Sequence, residues 1–263
     1  MSTPSNTKSD NSDNPAHAPA GHTGVTRSAI HRDHALICPE SHVPILFPAW
    51  QNCETVVMIS PEMGAKFSQM LIRCQPGAHL APLKSAEQMF ILVQAGRINL
   101  TVNGAAQDIA TDEFVYLPAH CDWQIASDEA ELLVFSKPYV AGELPPPEFL
   151  HKRLSDVPAE PFLGDPSALL QVLLPDDPAF DWGINLFEFA PGGTLPQVEC
   201  HFMEHGLFLL QGQGVYRLGE NWYPVQQGDA IWMGPYLLQW YAATGKTNSR
   251  YIYYKEMNRA PID

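Results

Sequence analysis

The chain has 263 residues, 45% of them hydrophobic, with a formal net charge of −14 and a pI near 5.0. That apolar content excludes global disorder and suffices for one large or two modest cores. The acidic balance disfavours nucleic acid and anionic membranes as partners, and no apolar run is long enough to span a membrane.

Residues 1–26 are rich in Ser, Asn, Asp, Pro and His and lack the apolar centre of a signal peptide. They read as a disordered tail, and His17 and His22 within it are not expected to form an ordered metal site. Residues 25–55 read as an arm that wraps the first of two barrels. Short apolar runs then alternate with turns at 55–59, 67–72, 89–93, 98–102, 114–117 and 132–136. Asn103 and Gly104 make a hairpin turn between two of them. Proline-rich residues 141–149 read as a stiff connector, followed by a link around Asp165. A second series of strands is expected at 183–189, 206–210, 214–218, 221–225, 229–233, 239–242 and 250–255. Many short strands without a long helical period predict an all-β barrel or sandwich.

The two series repeat. A shift of 116 residues lays Gly77 on Gly193, Gly96 on Gly212, Asp112 on Gly228 and Pro118 on Gly234 without a gap. In the second copy Glu199, His201 and His205 share one face if their segment is extended, and Gln239 follows downstream. Two imidazoles, a carboxylate and an amide oxygen suit Mn²⁺ or Fe²⁺ and leave positions for a substrate. The matching residues of the first copy are Leu83, Ser85, Met89 and Trp123. They are poor ligands, expected to fill their barrel with mostly apolar bulk. Glu204 and Cys200 are expected to point away from the ligand face. His79, His120 and Glu87 read as ordinary polar residues. The glycines form no phosphate or dinucleotide loop, and no serine or cysteine nucleophile motif is present.

The spacing Gly193, Glu199, His201, His205, Gly212 and then Gly228, Gly234, Gln239 resembles the two motifs of the cupin superfamily. That resemblance implies an all-β fold of two tandem cupin barrels (double-stranded β-helix or jelly-roll), a bicupin. Residues 27–145 would form an N-terminal cupin lacking metal ligands, and 146–263 a C-terminal cupin with the metal and active site. Glutamate and histidine have exchanged places relative to the general cupin pattern, and Gln239 stands where a histidine is usual. This departure is similar to the (S)-ureidoglycine aminohydrolase family, Mn²⁺ bicupins of purine and allantoin breakdown. The likeness is densest between residues 190 and 259.

The family resemblance implies a hydrolase that converts (S)-ureidoglycine and water to (S)-ureidoglycolate and ammonia. It implies Glu199, His201, His205 and Gln239 as ligands to Mn²⁺, with Fe²⁺ or another divalent ion as a substitute. Glu199 and Lys255 would be catalytic, and Tyr216, Tyr251, Lys255, Glu199 and Gln239 would contact the substrate. Read without the resemblance, Lys255 is a surface lysine and the two tyrosines are barrel filling. Lys255 follows Gln239 by sixteen residues, a hairpin's length that can return its strand beside that ligand. Another metal-dependent cupin enzyme, an isomerase or dioxygenase, or a non-catalytic small-ligand-binding bicupin, is the alternative. The five cysteines match no disulfide or zinc framework, so free thiols and a cytoplasmic location are expected. Uncovered sheet edges favour a homo-oligomer.

Overall fold

The structure, a computed structural model, describes residues 24–259. Most of the tail expected at 1–26, with His17 and His22, lies outside the described residues. The first strands are β1 (Ala29–Ile30), β2 (His34–Ile37), β3 (Gln51–Ile59), β4 (Ser68–Leu80), β5 (Glu87–Val102) and β6 (Ala105–Ala110). Next come β7 (Glu113–Leu117), β8 (Trp123–Pro138), β9 (Leu150–Arg153), β10 (Glu160–Phe162), β11 (Asp165–Val172) and β12 (Trp182–Phe189). The last are β13 (His205–Gln211), β14 (Gln213–Leu218), β15 (Asn221–Gln226), β16 (Ala230–Met233), β17 (Gln239–Ala243) and β18 (Ser249–Glu256). Among the described residues there is no α-helix, only three single-turn 3-10 segments.

The expected runs fall on strands to within a residue, and the fold is the two-barrel all-β architecture. One sheet has the order β3-β4-β8-β5-β7-β9, with β6 attached to β5. The second barrel combines an eight-stranded sheet, β1-β2-β16-β13-β18-β12-β11-β10, with a three-stranded one, β15-β14-β17. The repeat holds at the level of backbone angles. His120 (φ 63°) and Tyr236 (φ 61°) are left-handed at equivalent positions, as are Asp112 (φ 64°) and Gly228 (φ 91°).

Three local expectations change. The arm is divided: Ile45 bridges to Thr55 and Trp50 packs in the first barrel's core, but β2 pairs with β16 and extends the second barrel's sheet. Arg27 holds it there through a two-pronged ion pair to the buried Asp229 carboxylate, at 2.6 and 2.8 Å. The 141–153 region crosses the other way, with β9 pairing with β7 of the first barrel. The link around Asp165 is strand, β11, against β12. These strands escaped the sequence pattern because they lie at or near sheet edges, where one partner suffices and alternation is weak.

Three apolar clusters make the core. One fills the first barrel and one the second. The third joins them, with Phe67, Phe90, Tyr116 and Phe135 meeting Trp182, Ile184 and Tyr254. Within it Phe67 stacks on Tyr254 with ring centroids 4.1 Å apart. A buried polar chain crosses the same junction: Tyr116 donates to Gln88 at 2.8 Å, and Gln88 donates to Asp181 at 2.6 Å. Asp181 is also paired with Lys137 and accepts from the Val140 amide at 2.9 Å. Burying that carboxylate is tolerable only because every one of these partners is present.

The first barrel closes at its ligand-equivalent positions in only one layer. Met89 and Trp123 are buried, at 7% and 3% exposure, but Leu83 is 41% exposed and Ser85 is exposed. The expected plug is therefore two residues, because Leu83 and Ser85 sit in the open turn beyond β4.

Gly206 sets how closely the barrels approach. A Cβ there would stand 2.2 Å from the Phe67 ring of the first barrel. Gly206→Ala should destabilise the protein by about 1–3 kcal/mol through overpacking. Phe67→Leu in the same chain should recover part of that loss in chemical denaturation.

Candidate metal centre

Glu199 and Gln239 are brought together by backbone pairing. The Glu199 amide donates to the Gln239 carbonyl at 2.9 Å, and the Gln239 amide returns the bond at 3.0 Å. The 200–204 segment is not the continuous strand that alternation would require. It is an irregular loop that leaves the Glu199 bridge and re-enters the sheet at His205, the first residue of β13. The loop must reverse direction because its last residue belongs to the barrel junction. Glu204 is 1% exposed and accepts from the Lys66 amide at 2.9 Å and the Trp232 indole at 3.2 Å. Burial raises its proton affinity above the usual carboxylate range. Glu204 thus faces the junction while His205 faces the pocket, as adjacent residues on a strand must. Cys200 is exposed and donates to the Tyr236 carbonyl.

The four side chains gather at one end of the second barrel. His201 and His205 have ring centroids 4.6 Å apart. The Glu199 carboxylate lies 3.9 Å from His201 Nε2, and the Gln239 amide nitrogen lies 2.9 Å from the same atom. Both imidazoles are oriented by backbone carbonyls: His201 Nδ1 faces Met203 O at 3.1 Å, and His205 Nδ1 faces Glu204 O at 2.9 Å. With each Nδ1–H donated to a carbonyl, each Nε2 presents a lone pair, which at His201 faces the Gln239 amide. Burial, helped by His201 and Lys255, lowers the pKa of His205 to about 3, so it is neutral at pH 7. Two imidazoles that present Nε2, beside a carboxylate and an amide, fit a divalent ion. The set is gathered rather than closed: among the described residues no three His, Cys, Asp or Glu side chains enclose an ion as they stand. Rotating the Gln239 amide would exchange its nitrogen for oxygen at His201, as ligation requires.

Beside these groups lies a small pocket lined by Glu199, His205, Tyr216, Gln239, Tyr251 and Tyr253, with an apolar wall that includes Phe162, Phe187, Leu195 and Met233. Tyr216 and Tyr251 are both buried, and burial raises their phenol pKa values well above normal. The Tyr216 hydroxyl reaches toward Gln239 Oε1 at 3.5 Å. Tyr253 and Phe162 were not legible as site residues. Period two along β18 between Tyr251 and Lys255 points to Tyr253, whereas Phe162 arrives on the edge strand β10 and left no signal.

Lys255 comes beside His205, not beside Gln239. Strand β17 pairs with β14, whereas β18 lies between β12 and β13. Lys255 is thus the cross-strand partner of both His205 and Gly183. A Cβ on Gly183 would stand 3.2 Å from Lys255 Cε and 2.3 Å from Met257 Sδ, so the missing side chain leaves the lysine stem its space. Burial lowers the Lys255 pKa, and the Asp176 and Glu199 carboxylates oppose that shift.

Residues 185–253 match the family model described as a cupin domain. A rice protein (Oryza sativa subsp. japonica) named probable (S)-ureidoglycine aminohydrolase is 40% identical over 256 residues, covering 95% of this chain and 82% of that protein. The (S)-ureidoglycine aminohydrolase of Arabidopsis thaliana is 38% identical, over 91% of this chain and 80% of the other. The crystal structure of protein Ylba from E. coli superposes with a TM-score of 0.79 at 27% identity, over 89% of this chain and 96% of that one.

The buried neutral His205 makes stability depend on pH. Below its ordinary value of 6.5 the unfolded chain binds a proton here, while the folded chain does not until about pH 3. The stabilisation is complete above the higher value and is lost as pH falls through this window. Between pH 7 and 5 the metal-free protein should lose about 2 kcal/mol more than His205→Asn, as read by chemical denaturation.

Proposed function

We propose that this chain, which belongs to the (S)-ureidoglycine aminohydrolase family, is a Mn²⁺-dependent hydrolase that converts (S)-ureidoglycine and water to (S)-ureidoglycolate and ammonia in purine breakdown. The observation that carries this reading is the gathering of Glu199, His201, His205 and Gln239 at one end of the second barrel, with Glu199, His205 and Gln239 lining one small pocket and a part-buried lysine directly across the strand from His205. Glu199, His201, His205 and Gln239 would hold the ion, with Fe²⁺ a possible substitute. When bound, the ion supplies a Lewis acid and a template that fixes which face of the substrate carbon is presented.

The remaining work falls to side chains. The substrate carbon carries two nitrogens, and the reaction breaks the bond to the amine while a bond to the oxygen of water forms. One proton of that water must reach the departing amine, giving ammonia. Glu199 lines the pocket and is suited to carry that proton. Lys255 supplies a cation for the substrate carboxylate, and its partial burial strengthens the pairing over one in open water. Tyr216 on β14 and Tyr251 on β18, both held protonated by burial, supply hydroxyl donors to the pocket. The apolar wall of Phe162, Phe187, Leu195 and Met233 limits the water around the reacting carbon. The N-terminal barrel supports stability and association, and the open edges at β1 and β10 favour a homo-oligomer.

Metal analysis tests the ligand set. His201→Ala and His205→Ala should each lose the single ion per chain, while Leu83→Ala keeps it. Full metal content in both histidine variants would discard the assignment.

Lys255→Met tests the chemistry separately. It should keep metal and fold but release ammonia from ureidoglycine on the order of a hundredfold more slowly. Parent-like rates in a metal-loaded variant would remove Lys255 from the site.

A further inference from the structure

Three cross-strand layers stack along the pocket wall, each built from β12, β18 and β13. They are Gly183, Lys255 and His205; then Asn185, Tyr253 and Leu207; then Phe187, Tyr251 and Leu209. The outer layers hold the lysine and a tyrosine already assigned. The middle layer holds a polar pair that the reaction as described does not use.

Asn185 is 2% exposed, and its amide nitrogen donates to the Tyr253 hydroxyl oxygen at 3.1 Å. An Asn amide nitrogen can only donate, so Tyr253 is the acceptor in this bond and its own proton is directed elsewhere. Among the described residues the Tyr253 hydroxyl donates to no protein acceptor. The Tyr253 ring is fixed on two sides. It meets His205 edge-on with centroids 5.3 Å apart and stacks on Phe187 at 5.7 Å and 11°. Tyr253 lines the same pocket as Glu199 and Gln239. A phenol keeps its proton at neutral pH, so Tyr253 offers a proton and not a charge. A half-buried phenol on the pocket wall whose proton goes to no protein acceptor is free to donate to an occupant.

We propose that Tyr253, held by Asn185, is a specificity-determining donor to the ureido carbonyl oxygen of the substrate. The inference rests on the proposed ureidoglycine reaction and adds a second anchor to it. Tyr253 and Lys255 are two residues apart on one face of β18, roughly 7 Å along the strand. One substrate molecule offers two acceptors at comparable reach: a carboxylate for Lys255 and, beyond the reacting carbon and one nitrogen, a carbonyl oxygen for Tyr253. Anchoring both ends places the departing amine and the attacking water between them. Asn185 is the positioning residue, because without its amide the hydroxyl is free to rotate.

Tyr253→Phe deletes only the hydroxyl and keeps the ring against His205 and Phe187. In metal-loaded protein, kcat/KM for ureidoglycine should fall about tenfold to a hundredfold with metal content unchanged. Inhibition supplies the discriminating readout. Ureidoacetate, which has the ureido group but no amine, should bind about tenfold more weakly to Tyr253→Phe, whereas glycolate, a carboxylate without a ureido group, should bind as before. Asn185→Ala should show the same pattern more weakly, and the double variant should be no worse than Tyr253→Phe alone. If Tyr253→Phe does not fold, Asn185→Ala carries the ureidoacetate and glycolate comparison. Parent-like kcat/KM in Tyr253→Phe, or equal weakening of both inhibitors, overturns the proposal while leaving the reaction standing. A metal-loaded parent that releases no ammonia from ureidoglycine overturns the reaction, and the assignment of Tyr253 with it.

Discussion

The position of β18 between β12 and β13 governs the site. A strand in mid-sheet has both edges hydrogen-bonded, so its register is fixed from two sides and each side chain has neighbours at set distances. Here that register places Lys255 across from His205, and Gly183 on the other flank leaves it room. A slip of one residue on β18 would turn Tyr251, Tyr253 and Lys255 away from the pocket and bring Ile252 and Tyr254 toward it. The opposite face cannot accept that exchange, because Tyr254 stacks on Phe67 at the barrel junction. The pocket and the junction therefore specify one another through the two faces of one strand.

The loop before β13 obeys the same logic on a smaller scale. Glu204 is anchored in the junction by Lys66, Trp232 and Tyr254. His205, the next residue, is turned into the pocket with its Nδ1 on the Glu204 carbonyl. The first barrel contributes no residue to the pocket, yet it orients one that lines it: the Lys66 amide grips Glu204, and Phe67 packs over Gly206. The first copy, with Leu83, Ser85, Met89 and Trp123 at the matched positions, thus supports the second.

The difference between the copies is a matter of what fills the same space. Met89 stands where His205 does and Trp123 where Gln239 does, and both are buried. Apolar bulk at those two places closes the first barrel's interior without a donor. The second barrel keeps polar donors and pays for their burial with fixed partners: carbonyls for the two Nδ1 atoms, and a backbone bridge between Glu199 and Gln239.

The sequence by itself determined the strand-rich composition, the duplication and the identity of the gathered donors. Alternation, glycine turns and a fixed repeat are local properties, written in residue spacing. Glu199, His201, His205 and Gln239 were legible because they depart from Leu83, Ser85, Met89 and Trp123 at matched positions. Tertiary structure alone decided which strands become neighbours. It carried the first half of the N-terminal arm to the second barrel and β9 to the first, because edge pairing depends on which edge is open and not on the pattern of the strand that fills it. It set Lys255 beside His205 where chain distance pointed to Gln239. It also joined Asn185 to Tyr253, residues far apart in the chain whose meeting depends wholly on sheet register.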